Sequence, residues 1–131
     1  MAHPNEQRLR DGFEAFSKGD LDTLRNEYLA PDIVWHSPGR NQLAGEYKGI
    51  DQVMGLFGRL FEMTGGTFRQ ELHDVLANNE HGVTLAIASA ERQGKTLRSN
   101  GVLVFNLDKD GKVTEAWLHP EDQYAVDEFF S

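Results

Sequence analysis

Hydrophobic positions follow two periods along this chain, and the change between them falls near residue 67. Leu9, Phe13 and Phe16 recur at i, i+4 and i+7, which puts three large side chains on one stripe and predicts a helix over residues 5–18. Gly19 supplies a stop, and Asp20 can cap a second helix whose apolar positions are Leu21, Leu24 and Tyr28. Pro31 ends it. Ile33, Val34 and Trp35 then favour a pleated, half-buried backbone, so residues 32–37 read as a strand. Pro38-Gly39 reverses the chain, because proline cannot donate to a ladder and glycine turns cheaply. Residues 43–48 resume an extended course until Gly49 breaks it. A third helix starts near Asp51, which can cap it, and Val53, Leu56, Phe57, Leu60 and Phe61 give it a wide apolar face. Gly65-Gly66 terminates that helix.

From Thr67 the period becomes 2. Residues 67–77, 83–93, 96–108 and 112–119 read as four long antiparallel strands. Asn78-Asn79 with Gly82, Gly94-Lys95, and residues 108–111 supply their turns. Phe68, Leu72 and Leu76 alternate with polar partners, as do Leu103, Phe105 and Leu107, the pattern of a sheet with one covered face. The last residues suggest a short helix with Pro120 at its first position and Glu121 and Asp122 in its first turn. Helices followed by a twisted meander make one α+β domain over residues 1–131, a cone-shaped curved antiparallel sheet wrapped around N-terminal helices. Such a sheet leaves a hollow open at one end.

Composition narrows the functions that hollow can serve. With 131 residues the chain can bury a sizeable core and still enclose a cavity. A formal net charge of −8, with the 13 Lys and Arg scattered, leaves no basic stripe for nucleic acid. There are no cysteines, which removes thiol chemistry and suits a cytoplasmic location. No apolar run is long enough for a signal peptide or a membrane span. Neither an HxH nor an HExxH spacing occurs, and Glu121-Asp122 and Asp127-Glu128 are adjacent pairs whose side chains diverge on a helix, so no metal site is expected. GxGxxG and P-loop patterns are missing, so no nucleotide cofactor is expected either.

The order and spacing of GDLDTL, LAPDIVWHSPG, GEYKGIDQV and DGKVTEAW resemble the SnoaL-like branch of the nuclear transport factor 2 superfamily, to which ketosteroid isomerase also belongs. The resemblance covers essentially the whole chain. It implies a pocket for a small, largely apolar molecule, and an acid–base isomerase, cyclase or dehydratase working without a cofactor. It does not bring the isomerase groups with it. The base position falls at Ser37, the tyrosine position near Phe13 and the acid position at Leu103, none of which can move a carbon-bound proton. The remaining candidates are therefore few. His36 faces the hollow only if a register slip or bulge reverses the alternation that sends Trp35 and Ser37 inward; otherwise it is a sheet-packing histidine. His119 and Asp122 form a second candidate acid–base pair near the mouth, with stabilisation of the first turn of the terminal helix by Asp122 as the alternative. Phe13, Phe16, Trp35, Ser37, Phe57, Phe61, Leu103 and Tyr124 are the expected ligand-contacting set. A binding protein without turnover and a protein-interaction module are the other functions to weigh, and a homodimer through the outer sheet face is expected for any of them.

Overall fold

The computed structural model describes residues 3–131. Four helical segments and six strands follow in the order expected, the strands forming one sheet in the order β2-β1-β6-β5-β4-β3. Helix α1 (Pro4–Ser17) starts on a capping box. The His3 ring accepts from the Asn5 amide, while Glu6 reaches back to the His3 amide. His3 also bonds Asn79 at 2.8 Å, so the residue before α1 is tied to the turn at residues 78–80. The second helix is shorter than its periodicity suggests. Capped by Asp20, α2 (Leu21–Thr23) widens at once into a π-helical turn over Leu24–Tyr28. That turn directs both Leu24 and Tyr28 into the wall of the central cavity.

Strand β1 (Leu29–Ser37) pairs antiparallel with β2 (Gly45–Lys48) and parallel with β6 (Val113–Pro120), the one parallel pairing among the described residues. Helix α3 (Ile50–Met63) begins on Gly49, at φ +87, with no side-chain cap. Asp51 lies inside the first turn, where it pairs with Arg25. Strands β3 (Arg69–Ala77), β4 (His81–Arg92) and β5 (Lys95–Leu107) complete an antiparallel meander with β6. Register shifts between Leu72 and Asp74 and between Asn106 and Leu107 bend the long strands. The first also flips the phase of β3, so Val75 is 1% exposed in the core while Leu76 faces outward at 53%. Pro120 closes β6, and Asp122 caps helix α4 (Gln123–Phe129), leaving Glu121 before it.

Ile33, Val53 and Ala116 are fully buried at the centre, where α1 and α3 pack into the concave face. Burying a Val, Leu, Ile or Phe side chain contributes about 1.5–3 kcal/mol, so this set anchors the helices to the sheet. Gly55 and Gly58 on α3 face outward and have no neighbour close enough to require glycine. Among the described residues no helix is long and apolar enough to cross a membrane.

Candidate functional site

Strand alternation sorts the chemistry of this chain onto two faces. On β1, Trp35 and Ser37 point inward, so His36 points out. On β6 the inward positions are Ala116 and Leu118, which leaves Glu115, Trp117 and His119 on the convex side. There the His36 ring stacks flat on Trp117 at 5.3 Å, its Nε2 2.6 Å from Glu115 and its Nδ1 3.6 Å from Glu46. His119 is exposed on the same face. Asp122 accepts from the Ala125 amide at 3.1 Å, the capping role, and does not join an acid–base pair inside. His73 and His81 are exposed as well, and no cluster of three metal-ligating side chains occurs among the described residues.

Between α1, α3 and the concave face lies a cavity of about 200 Å³. Phe13 and Phe16 from α1, Phe57 from α3, and Trp35, Ser37 and Leu103 from the sheet all line it. The aromatic walls brace one another. Phe57 meets Phe16 and Trp35 edge-on at 5.1 Å each, and Trp35 meets Phe105 at 6.4 Å. Phe61 does not reach the space. One turn beyond Phe57 it packs on Phe16, at 5.0 Å, and on Phe68, closing that end of the core from behind, and Leu60 takes the lining position. Tyr124 is 89% exposed, because α4 turns Val126 and Phe130 toward the cavity and its opposite side toward solvent.

Polar groups gather at the two ends. At one, the Gln123 amide donates to Asp127 at 2.9 Å and reaches the Pro38 carbonyl. Asp127 also accepts from the Arg40 amide and the Asn41 side chain, at 3.0 and 2.8 Å. These bonds hold the Asp127 carboxyl below its ordinary pKa, the Asn41 bond contributing most, and they latch α4 to the loop after β1. Gly39 sits at φ +99, a left-handed conformation that favours glycine, and a Cβ there would push the Gln123 and Asp127 side chains aside. At the other end Arg8 and Tyr28 meet the turn at Gly111. Burial raises the Tyr28 phenol above its ordinary pKa, with Asp11 and Glu27 adding to the rise, so this hydroxyl stays protonated at neutral pH.

Ser99, Asn100, Gln70 and Asn41 also line the cavity and were not singled out from the sequence. Two of them were within reach. Extending the inward phase of Leu103 and Phe105 back along β5 arrives at Ser99, and Gln70 lies between Phe68 and Leu72. Among the described residues, no carboxylate and no imidazole lines the cavity.

A six-stranded, unclosed, curved sheet folded over two helices around an apolar cavity defines the NTF2-like, or cystatin-like, class of α+β proteins. Within that class the chain belongs to the SnoaL-like family, whose domain profile matches residues 9–116. It is 31% identical over 125 residues, 94% of this chain and 93% of the relative, to the uncharacterized protein Rv0034 of Mycobacterium tuberculosis. Among solved structures it is similar to Bal32a from a soil-derived mobile gene cassette, with 36% identity, a TM-score of 0.91, and 97% of this chain and 96% of that one covered. It also resembles a protein of unknown function with a cystatin-like fold from Xanthomonas campestris, at 29% identity and a TM-score of 0.89 over 100% and 99% of the two chains.

Proposed function

We propose that this protein binds a small, largely apolar molecule in the central cavity and does not use a histidine or carboxylate of its own to transform it. The observation that carries this reading is the composition of the wall. It has the aromatic rings and few polar groups of a small-molecule site, yet holds no group that can accept a proton at neutral pH. Membership of the SnoaL-like family, for which the sequence resemblance implies isomerases, cyclases or dehydratases, supports a metabolite as the occupant. It leaves open a cyclisation in which the chamber only folds a reactive substrate and excludes water.

Native mass spectrometry of freshly purified protein, with titration of the neutral fluorophore N-phenyl-1-naphthylamine, tests the binding reading. The expected result is a co-purifying or saturable one-to-one ligand, recovered unchanged after incubation. Absence of any retained mass together with a non-saturating fluorescence response would end it. The reading includes a homodimer. Leu76 and Leu85, 53% and 38% exposed on the convex face, call for a cover, and a solution mass of 14.8 kDa by light scattering would exclude one.

A further inference from the structure

Resting on that reading of the cavity, we propose a class for its occupant: an apolar molecule with one acidic oxygen group, a carboxylate or acidic enol, held by Arg8. Among the described residues Arg8 is the one charged side chain lining the cavity. Its Nη2 donates to the Glu27 carbonyl at 2.6 Å, its Nε donates to the Gly111 carbonyl at 3.2 Å, and its guanidinium lies 5.1 Å from the centre of the Tyr28 ring.

These contacts fix the group in place without neutralising it. Both acceptors are backbone carbonyls, and no carboxylate lies within ion-pair distance of Arg8 among the described residues. Asp11 and Glu27 stand near enough to raise the Tyr28 phenol, but the Asp11 carboxylate is bonded to Gln7 and Glu27 meets Arg8 only through its carbonyl. Nη1 has no partner among the described residues, so the planar fork keeps donors for an incoming oxygen. Tyr28 lines the same end, its ring beside the guanidinium. Gly111, at φ +77, keeps the arrangement open, because a Cβ there would come within 2.7 Å of Arg8 Nε.

Among the described residues no charged side chain lines the far end of the cavity; the Asp127 carboxylate stands behind it, already bonded to Asn41, Gln123 and the Arg40 amide. Asn41, Ser37 and Gln123 offer only neutral amides and a hydroxyl. Leu107 pairs with Val113 near the Arg8 end, and Gly101 pairs with Pro120 near the other. At about 3.3 Å per residue the two ends stand roughly 20 Å apart along the sheet. An occupant therefore meets an anion-binding donor at one end, aromatic walls between, and neutral polar groups at the other. A cationic or doubly anionic molecule would leave charge unpaired in an apolar space, which is costly.

The test uses two isosteric probes, 2-naphthoate and the neutral 2-naphthamide, each displacing N-phenyl-1-naphthylamine from the full chain. Wild-type protein is expected to prefer the acid by about tenfold or more, the worth of one charge-assisted bond. Arg8→Gln should abolish that preference, read as the ratio of the two displacement constants so that any change in fluorophore affinity cancels, and Arg8→Lys should restore part of it; thermal melts of both variants establish that they fold. Equal displacement by the two probes, or a preference that survives Arg8→Gln, overturns the assignment of Arg8 and leaves the cavity reading intact. Displacement by neither probe, with the fluorophore bound, also overturns it. Failure of the fluorophore itself to bind overturns both.

Discussion

Replacing Thr84 by valine should make this protein more stable. Thr84 is 1% exposed in the middle of β4, beside Val75 on β3 and Leu103 on β5, and its Oγ1 has no hydrogen-bond partner among the described residues. A hydroxyl taken out of water without a partner costs about 1–3 kcal/mol, and valine has nearly the same shape and β propensity. Because the swap leaves no cavity, the gain should be about 1–2 kcal/mol. Melting entropy is about 2.1 cal/mol/K per residue, so 131 residues give about 0.28 kcal/mol/K, and the midpoint should rise by about 4–7 °C. Circular dichroism melts and urea titrations read this directly, with the urea midpoint moving up and the m-value unchanged. Thr84→Ser is the control. It keeps the unpaired hydroxyl and loses a methyl group, so it should lose about 1 kcal/mol or more. A valine variant no more stable than wild type would refute the reasoning, since it would mean that the hydroxyl is satisfied in the folded protein.

Three other outcomes follow from named contacts. Gly82→Ala places a Cβ 2.5 Å from Leu9 Cδ1, and because Leu9 borders the cavity it can yield, so the expected loss is about 1–2 kcal/mol, read as a midpoint lower by about 4–7 °C. The Asp127 latch should be pH-dependent in one direction: its carboxyl is held below the ordinary value of 3.8, so its contribution is complete above that value and is lost as pH falls through the lower folded one. Hydrogen exchange across residues 39–43 and α4 should therefore be slower in wild type than in Asp127→Asn at pH 6 and equal in the two at acid pH; a difference that persists in acid would contradict it. Tyr124→Ser should change stability by less than about 0.5 kcal/mol and leave fluorophore binding unaltered, as its 89% exposure requires.

Much of this fold is legible as local pattern. Leu9, Phe13 and Phe16 mark α1, and each β-hairpin is announced by turn residues at its tip. What escapes is set by geometry that spacing does not encode. The π-helical turn adds one residue to a helical circuit over Leu24–Tyr28, a widening that the spacing of apolar residues does not show. The shift between Leu72 and Asp74 inserts one residue into a period of 2, which is why Val75 rather than Leu76 reaches the core. The parallel pairing of β1 with β6 joins segments about eighty residues apart, and no local signal carries it. For the site, aromatic walls are easy to name because large apolar side chains must go inside. Phe61 and Tyr124 were misplaced because each sits on a helix, where one step of 100° separates cavity from core or solvent.

The phase of β1 decides which chemistry the chamber can hold, and three separate contacts fix it. Ile33, fully buried, anchors the strand at its middle. The ladder to β2 pairs His36 with Glu46 and Ser37 with Gly45 at its end. Beyond the strand, Gln123 and Asp127 bond the residues on either side of Gly39, which turns at φ +99, a conformation that favours glycine. A one-residue slip would exchange Trp35 and His36, setting an imidazole against Phe57 and stranding an indole among Glu46 and Glu115. Each anchor opposes that slip from a different element, so the inert wall is a consequence of how β1 is clamped. An acid–base site in this chain would require changing the clamp and not merely a side chain, because any imidazole supplied by β1 at position 36 is delivered to the convex face.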